Sequence, residues 1–243
     1  MKTIEELYNG FYLNKEHANS QISDWLNPLW VAPIKKINDY KNLKIDYEHF
    51  AFGEKKEYFH WLKNYLRIEK SNFPPTFIFD NHNHSITFRY NIIYGKNLKN
   101  IELIHIDQHS DCRENKNHLE LTWKENELEN VFNFCNERCN VGNFIPPAIE
   151  SWIIWNQTQI RSTYALNNLK IDKNHNSVID IDLDFCLDWI DRNKINQETI
   201  DLLKSKFKII WKNVLCITIA TSPYFLNQEL AIDIINNLLY NIQ

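Results

Sequence analysis

Glycine is scarce: the chain of 243 residues has four. A glycine-rich phosphate loop or a GxGxxG dinucleotide turn cannot be assembled from so few, which argues against nucleotide-binding Rossmann and P-loop enzymes. A basic block is also absent, and the net charge is −4. Nucleic acid and anionic membrane surfaces are therefore poor partners. No apolar run reaches membrane-spanning length, and the opening residues MKTIEELYNG lack the apolar core of a signal peptide. The expectation is a cytoplasmic protein with neither nucleic acid nor membrane among its partners. Nothing in the sequence marks an oligomer interface. The five cysteines (Cys112, Cys135, Cys139, Cys186 and Cys216) fit reduced, mostly buried thiols. Cys135 and Cys139 form the one close pair, inside a helical pattern, whereas zinc sites commonly use tighter spacing or a second pair.

What is plentiful is aromatic surface, with 8 Trp, 11 Tyr and 14 Phe. A chain of this length and composition can bury one sizeable α/β core, so residues 1–243 are read as a single domain. Residues 1–75 read as mainly helical and aromatic, packed on the core or capping it. A first helix is expected over 4–12 with Thr3 as N-cap and Glu6 at the third helical position. Residues 19–33 are broken by Pro28 and Pro33, and 54–68 carry Trp61, Leu62, Tyr65 and Leu66 at helical spacing. From Pro74-Pro75 onward, strands alternate with helices: a strand at 76–79, a strand or short helix at 86–94, and a buried strand around 101–106. Helices follow at 123–139 and 145–155, the latter opened by Pro146-Pro147, with another strand at 159–166. An acidic strand around 178–184 precedes a helix at 196–211, a buried strand at 214–220 and a last helix at 228–240 capped by Asn227. The alternation predicts an α/β fold with a largely parallel sheet.

Two stretches carry the chemistry. Ile101, Leu103, Ile104 and Ile106 read as a buried strand that delivers Asp107, His109 and Asp111 at alternate positions. Side chains at i, i+2 and i+4 of an extended chain share a face, and ligands bind at the carboxyl edge of such sheets. The same pattern recurs at Asp180, Asp182 and Asp184. A third strand end carries His82 and His84. Carboxylates gathered within ~5 Å raise one another's pKa and destabilise a fold unless compensated. Two divalent cations would neutralise four of them. Oxygen-rich ligation with a minority of imidazole suits Mn²⁺ rather than Zn²⁺, and two such ions would activate a shared water.

Asp107-x-His109-x-Asp111 resembles the DxHxD motif of the ureohydrolases (arginase, agmatinase and formiminoglutamase). Ile181-Asp182-Leu183-Asp184 resembles their later acidic motif, and His84-Ser85-Ile86 the end of their GGDHS motif. The wording DNHNH, HIDQHSD, IDIDLDF and TSP is closer still to small arginase-like proteins, including the peptide arginases of ribosomal-peptide (RiPP) biosynthesis. The resemblance covers roughly residues 76–225. It implies a three-layer arginase-like fold, two Mn²⁺ per chain and hydrolysis of peptide arginine side chains to ornithine and urea. It also implies ligands His84, Asp107, His109, Asp111, Asp182 and Asp184, with Asp107 and Asp182 bridging. Two registers stay open: His82 in place of His84, and Asp180 with Asp182 in place of Asp182 with Asp184. The chain departs from the free-arginine enzymes in two places. Ile145 stands where their proton-shuttling histidine would be, and Ala220 where their guanidinium-binding glutamate would be. His82 and His118 are then the candidates for proton transfer. Asn143 is the candidate substrate contact, and Glu150, Glu114 or Asp80 the candidate guanidinium acid. An arginine-containing peptide is the expected partner. The rivals are a deacetylase-like amidohydrolase with one Zn²⁺, and a non-catalytic peptide-binding protein stabilised by metal.

Overall fold

The computed structural model describes residues 2–13, 29–38, 45–52, 57–96, 98, 100–170, 176–210 and 214–240. Thr3 starts the first helix, α1 (Ile4–Leu7), through a capping box. Its hydroxyl accepts from the Glu6 N–H at 3.2 Å, and its own N–H donates to the Glu6 carboxylate at 2.6 Å. The helix ends at Leu7, short of the expected residue 12, because Gly10 takes a left-handed φ of +85° and turns the chain. Beyond Gly10 the chain is extended rather than helical. β1 (Phe11–Leu13) pairs antiparallel with β2 (Leu29–Val31), and β3 (Ile34–Ile37) comes next. Part of the irregular stretch 19–33 lies outside the described residues.

Of the expected helix over 54–68, residues 54–56 lie outside the described residues, and the rest is two strands. β4 (Tyr47–Phe52) pairs antiparallel with β5 (Glu57–Leu62), and β6 (Tyr65–Ile68) runs parallel to β3. A bend at Lys63-Asn64 separates β5 from β6. Across that bend the Lys63 N–H donates to the Asp46 carbonyl and the Tyr65 N–H to the Pro33 carbonyl, each at 2.9 Å. Aromatic residues suit a pleated surface as well as a helix, and neighbouring strands claim the backbone. Trp61, Leu62, Tyr65 and Leu66 are all buried, so their burial was expected and their conformation was not.

From residue 76 the alternation holds. β7 (Thr76–Phe79) leads through a 3-10 turn, His82–His84, into helix α2 (Ser85–Ile93), and β8 (Glu102–Ile106) follows. α2 is buried almost all round, so it shows neither helical nor strand periodicity. Next come α3 (Leu128–Arg138), α4 (Ile145–Glu150), β9 (Asn156–Ile160) and α5 (Thr163–Asn168). α3 and α4 are shorter than expected. The stretch 159–166, read as a strand, is split between the end of β9 and the start of α5, whose first turn is capped by the Ser162 hydroxyl. β10 (Ser177–Asp182), α6 (Gln197–Ile210), β11 (Val214–Ala220) and α7 (Gln228–Tyr240) complete the chain. Asn227 accepts from the Glu229 N–H at 2.8 Å at the start of α7.

The seven-stranded mixed sheet has the order β3-β6-β7-β11-β10-β8-β9. The five strands from β7 to β9 in that order are mutually parallel, and β6 is antiparallel to β7. After β8 the chain moves outward to β9; after β10 it moves the other way, to β11. Adjacent strands with opposite outgoing connections leave a crevice beyond their carboxyl ends, which is where open α/β sheets bind ligands. Among the described residues no helix is long and apolar enough to cross a membrane.

Ile181 on β10 is fully buried, whereas Ile190 is 97% exposed. Ile181→Ala is expected to lower the free energy of unfolding by ~2–5 kcal/mol and Ile190→Ala by less than ~0.5 kcal/mol. Urea titration with an unchanged slope reads both.

Candidate metal centre

Asp180 sits at the middle of β10, with His105 of β8 as its register partner on one side and Thr218 of β11 on the other. In parallel strands register partners face the same way, so all three side chains meet. The Thr218 hydroxyl donates to Asp180 Oδ1 at 2.6 Å, and His105 Nδ1 lies 2.9 Å from Oδ2. Arg89 reaches down from α2 to place Nη2 2.7 Å from Oδ1, and the same nitrogen donates to the Ser85 hydroxyl at 2.8 Å. His82 Nε2 lies 2.9 Å from Asp180 Oδ2. All of these groups are buried. Burial alone would raise the Asp180 pKa, but Arg89 and His82 hold it well below the usual carboxylate range.

With one nitrogen of each imidazole against Asp180, the other nitrogen of each faces the strand ends. His82 Nδ1 lies 3.4 Å from Asp107 Oδ2, 3.0 Å from Asp111 Oδ2 and 3.4 Å from Asp182 Oδ2. His105 Nε2 lies 3.4 Å from Asp107 Oδ2 and 3.8 Å from Asp111 Oδ2. The other oxygen of Asp107 looks the opposite way. Oδ1 is 3.3 Å from His109 Nδ1, which in turn is 3.2 Å from Asp184 Oδ2. Two groups result, His82–His105–Asp107 and Asp107–His109–Asp184, each with ligand atoms within 4.8 Å of one another. Asp107 belongs to both.

The chain folds this way for local reasons. β8 ends at Ile106, so the motif is not extended as far as Asp111. Instead Asp107 Oδ1 accepts from the His109 N–H at 2.7 Å, a short side-chain turn, and Asp111 adopts a left-handed φ of +51°. That conformation, costing on the order of 1–2 kcal/mol outside glycine, swings Asp111 back to the His82 side while His109 stays with Asp184. The second acidic strand repeats the device: Asp182 Oδ1 accepts from the Asp184 N–H at 3.1 Å. Ser222, also left-handed at φ +47°, donates its hydroxyl to Asp182 Oδ2 at 2.5 Å. Gln108 and Arg192 brace the far side, with Gln108 Nε2 donating to the Asp184 carbonyl at 2.6 Å and Arg192 bonding both Gln108 Oε1 and Asp184.

The donor set fits a cation. His82 Nδ1, His105 Nε2, Asp107 Oδ2 and Asp111 Oδ2 are buried with no hydrogen-bond partner, although they converge, and Asp184 Oδ1 in the second group is likewise unpaired. Buried polar atoms are normally paired, and lone pairs meeting at one place suit an ion. Hydrogen bonds to Asp107 and Asp184 raise His109 to about 10. Burial opposes protonation of His105, but Asp107 and Asp180 bring it to about 9. Burial raises Asp184 to about 7 and Asp111 to about 6. Divalent ions would displace such protons. These buried His/Asp clusters can hold a metal ion.

The residues expected from sequence divide. Asp107, His109, Asp111, Asp182 and Asp184 come together. His84 does not: its Nδ1 meets the Tyr8 hydroxyl at 3.0 Å, its ring packs among Tyr8, Tyr65 and Phe79, and burial lowers it to about 3. The alternative register, His82, takes the place in the cluster and so is removed from the role of free proton carrier. His118 and Glu150 pair with each other at 3.0 Å on the surface, with side chains 72% and 49% exposed. Asn143 lies in a turn where its side-chain oxygen accepts from the Asn140 N–H at 2.7 Å. Its neighbour Phe144 packs on the rings of His82 and His105 instead. Asp80 is buried against Leu62, Thr221 and Gln228, and Glu114 is exposed. Several participants are not among the residues expected from sequence. His105 was legible, since it extends the alternation of Asp107, His109 and Asp111 by one step backward; Arg89 and Thr218 carry no local signal. Among the described residues all five cysteines are free thiols, four of them buried.

No protein-family model matches the chain, and no curated protein matches it.

Removing the Arg89 guanidinium leaves Asp180 buried without its strongest partner. Arg89→Met is expected to cost ~3–5 kcal/mol of stability, and Arg89→Met/Asp180→Asn less than the sum of the two single changes. A double-mutant cycle in denaturant measures this; strict additivity would show that the pair is not coupled.

Proposed function

We propose that the protein is a divalent-metal hydrolase of the arginase-like type, acting on the guanidino group of arginine residues in a peptide to give ornithine and urea. The observation that carries this reading is Asp107, whose two oxygens each face a different group of metal-competent side chains. One carboxylate set between two such groups is the arrangement that a pair of ions requires. The first site would draw on His82, His105, Asp107, Asp111 and Asp182, and the second on Asp107, His109 and Asp184. The reading includes a three-layer arginase-like arrangement of the α/β sheet and Mn²⁺ as the metal, two per chain. Bound there, the ions supply Lewis acidity and a nucleophilic water at neutral pH.

The chain's own residues do the rest. Asp180 and Arg89 hold the His82 and His105 rings from behind, as carboxylates behind metal-binding histidines commonly do. Phe144 covers both rings and keeps bulk water from that side. The mouth is a cavity of about 440 Å³ lined by His109, Ser110, Asp111, Arg113, Val141, Gly142, Arg161, Asp182 and Phe225. The acids at this mouth are Asp111 and Asp182, so a guanidinium entering it meets the carboxylates of the centre itself. Water supplies the oxygen of urea and both of its hydrogens pass to the departing nitrogen, which leaves as the ornithine ammonium. With His82 inside the cluster and His118 at the surface, no side chain is assigned to that transfer.

The second reading is a deacetylase-like amidohydrolase with a single Zn²⁺. One observation favours it: the first site holds two imidazoles, His82 and His105, which is richer in nitrogen than an oxygen-only centre and suits zinc.

Incubating arginine-containing peptides with the Mn²⁺-loaded protein is expected to remove the mass of cyanamide per converted arginine, read by mass spectrometry, with urea appearing in step. Metal analysis is expected to give about two ions per chain, about one in Asp184→Asn and fewer than one in Asp107→Asn, which loses the shared ligand. One ion per chain, retained in Asp184→Asn, with deacetylation and no urea, would select the zinc reading.

A further inference from the structure

The mouth of the centre carries more positive charge than a guanidinium substrate should tolerate. Two divalent ions, bound as proposed, would match the four carboxylates Asp107, Asp111, Asp182 and Asp184. Asp180 is matched by Arg89. Two arginines of the cavity wall, Arg113 and Arg161, then have no acid to answer them.

Their placement differs. Arg161 is anchored: Nε and Nη2 donate to the Gln108 carbonyl at 3.1 and 2.8 Å, which ties it to the end of β8 and leaves Nη1 without a partner among the described residues. Arg113 is held through its backbone, whose N–H donates to the Gly142 carbonyl at 2.9 Å. Its side chain lies along Gly142, where an added Cβ would come within 3.4 Å of Cδ and 3.6 Å of Cζ. The guanidinium of Arg113 makes no hydrogen bond or ion pair among the described residues. It therefore stands exposed at the rim of a cavity whose floor is the metal cluster, with all its donors free.

We infer that this rim is a carboxylate-binding subsite in which Arg113, assisted by Arg161, receives an acidic group that the substrate carries close to its guanidino group. The inference rests on the guanidino-hydrolase reading and narrows its substrate class. A planar guanidinium presents paired donors that match the two oxygens of a carboxylate. The acid brought by the substrate cancels the charge at the rim, while the substrate's own cation passes toward the centre below. Two sources offer this chemistry: the α-carboxylate of free arginine, and an acidic side chain beside an arginine within a peptide.

The test is calorimetric binding to the full chain in Mn²⁺, with two matched pairs of probes. Arginine is compared with agmatine, its carboxylate-free counterpart, and an internal Arg-Glu peptide with the same peptide bearing Arg-Gln. Wild type is expected to prefer the acidic member of at least one pair by about tenfold or more, the loss expected when a hydrogen bond to a charged group is removed. The pair that shows the preference identifies the source. Arg113→Ala is expected to erase that preference and Arg113→Lys to restore part of it. Equal affinity within both pairs, absence of binding by every acidic probe, or a preference that survives Arg113→Ala would each overturn the subsite. Urea release is scored separately on the same probes. A carboxylate preference without urea would sink the hydrolase reading and leave the subsite standing; urea without a preference would do the reverse.

Discussion

A carboxylate buried between two strands governs the centre of this protein. Asp180 accepts from Thr218, lies against His82 and His105, and is neutralised by Arg89, all away from water. An isolated carboxylate in that position would take up a proton or disrupt the fold. With a guanidinium against it, it stays charged and acts as a fixed acceptor. Two imidazoles are thereby oriented with their free nitrogens toward the strand ends. Of the two groups that share Asp107, the one containing His82 and His105 depends on that orientation.

A second constraint is geometric. Parallel strands that leave β8 and β10 in opposite directions open a crevice at their carboxyl ends. Asp107 and Asp182, the first acids after these strands, each use one oxygen to hold the backbone N–H two residues on. This local bond ends the strand and turns the next ligand, His109 or Asp184, into the crevice. Left-handed backbone at Asp111 and Ser222 completes the set, and strain of this kind concentrates where a site over-determines the chain. The result is a cluster with negative side chains inside and arginines at its rim.

The stability of the arrangement and its affinity for cations are two sides of one electrostatic balance. Carboxylates beside His82, His105 and His109 raise their pKa values and so favour positive charge on the imidazoles. Divalent ions supply it more compactly, and the converging unpaired atoms at the cluster mark where they would sit. Arg192 joins this balance through Asp184, whereas Arg113 and Arg161 stand outside it at the rim, where they bear on what enters.

Much of this was legible in the sequence because it is set by period and neighbours. Alternating acids after an apolar strand fix which side chains share a face, and Thr3-x-x-Glu6 fixes a helix start. Asp107, His109 and Asp111 were singled out this way, Asp182 and Asp184 through the motif resemblance, and all five lie in or beside the clusters that can hold a metal ion; His105 could have been read from the same alternation. Tertiary structure alone decided the rest. The aromatic spacing of 54–68 satisfies a helix or two strands, and backbone partners on Asp46 and Pro33 chose strands. His82 and His84 lie two residues apart in one turn. Only the packing of His84 against Tyr8, Tyr65 and Phe79 sends it away from the acids and leaves His82 among them. Arg89 and Asp180 are 91 residues apart, and no local pattern could pair them. Local stereochemistry sets where a side chain points along its own strand; what it meets there is set by strands that the chain brings back from far away.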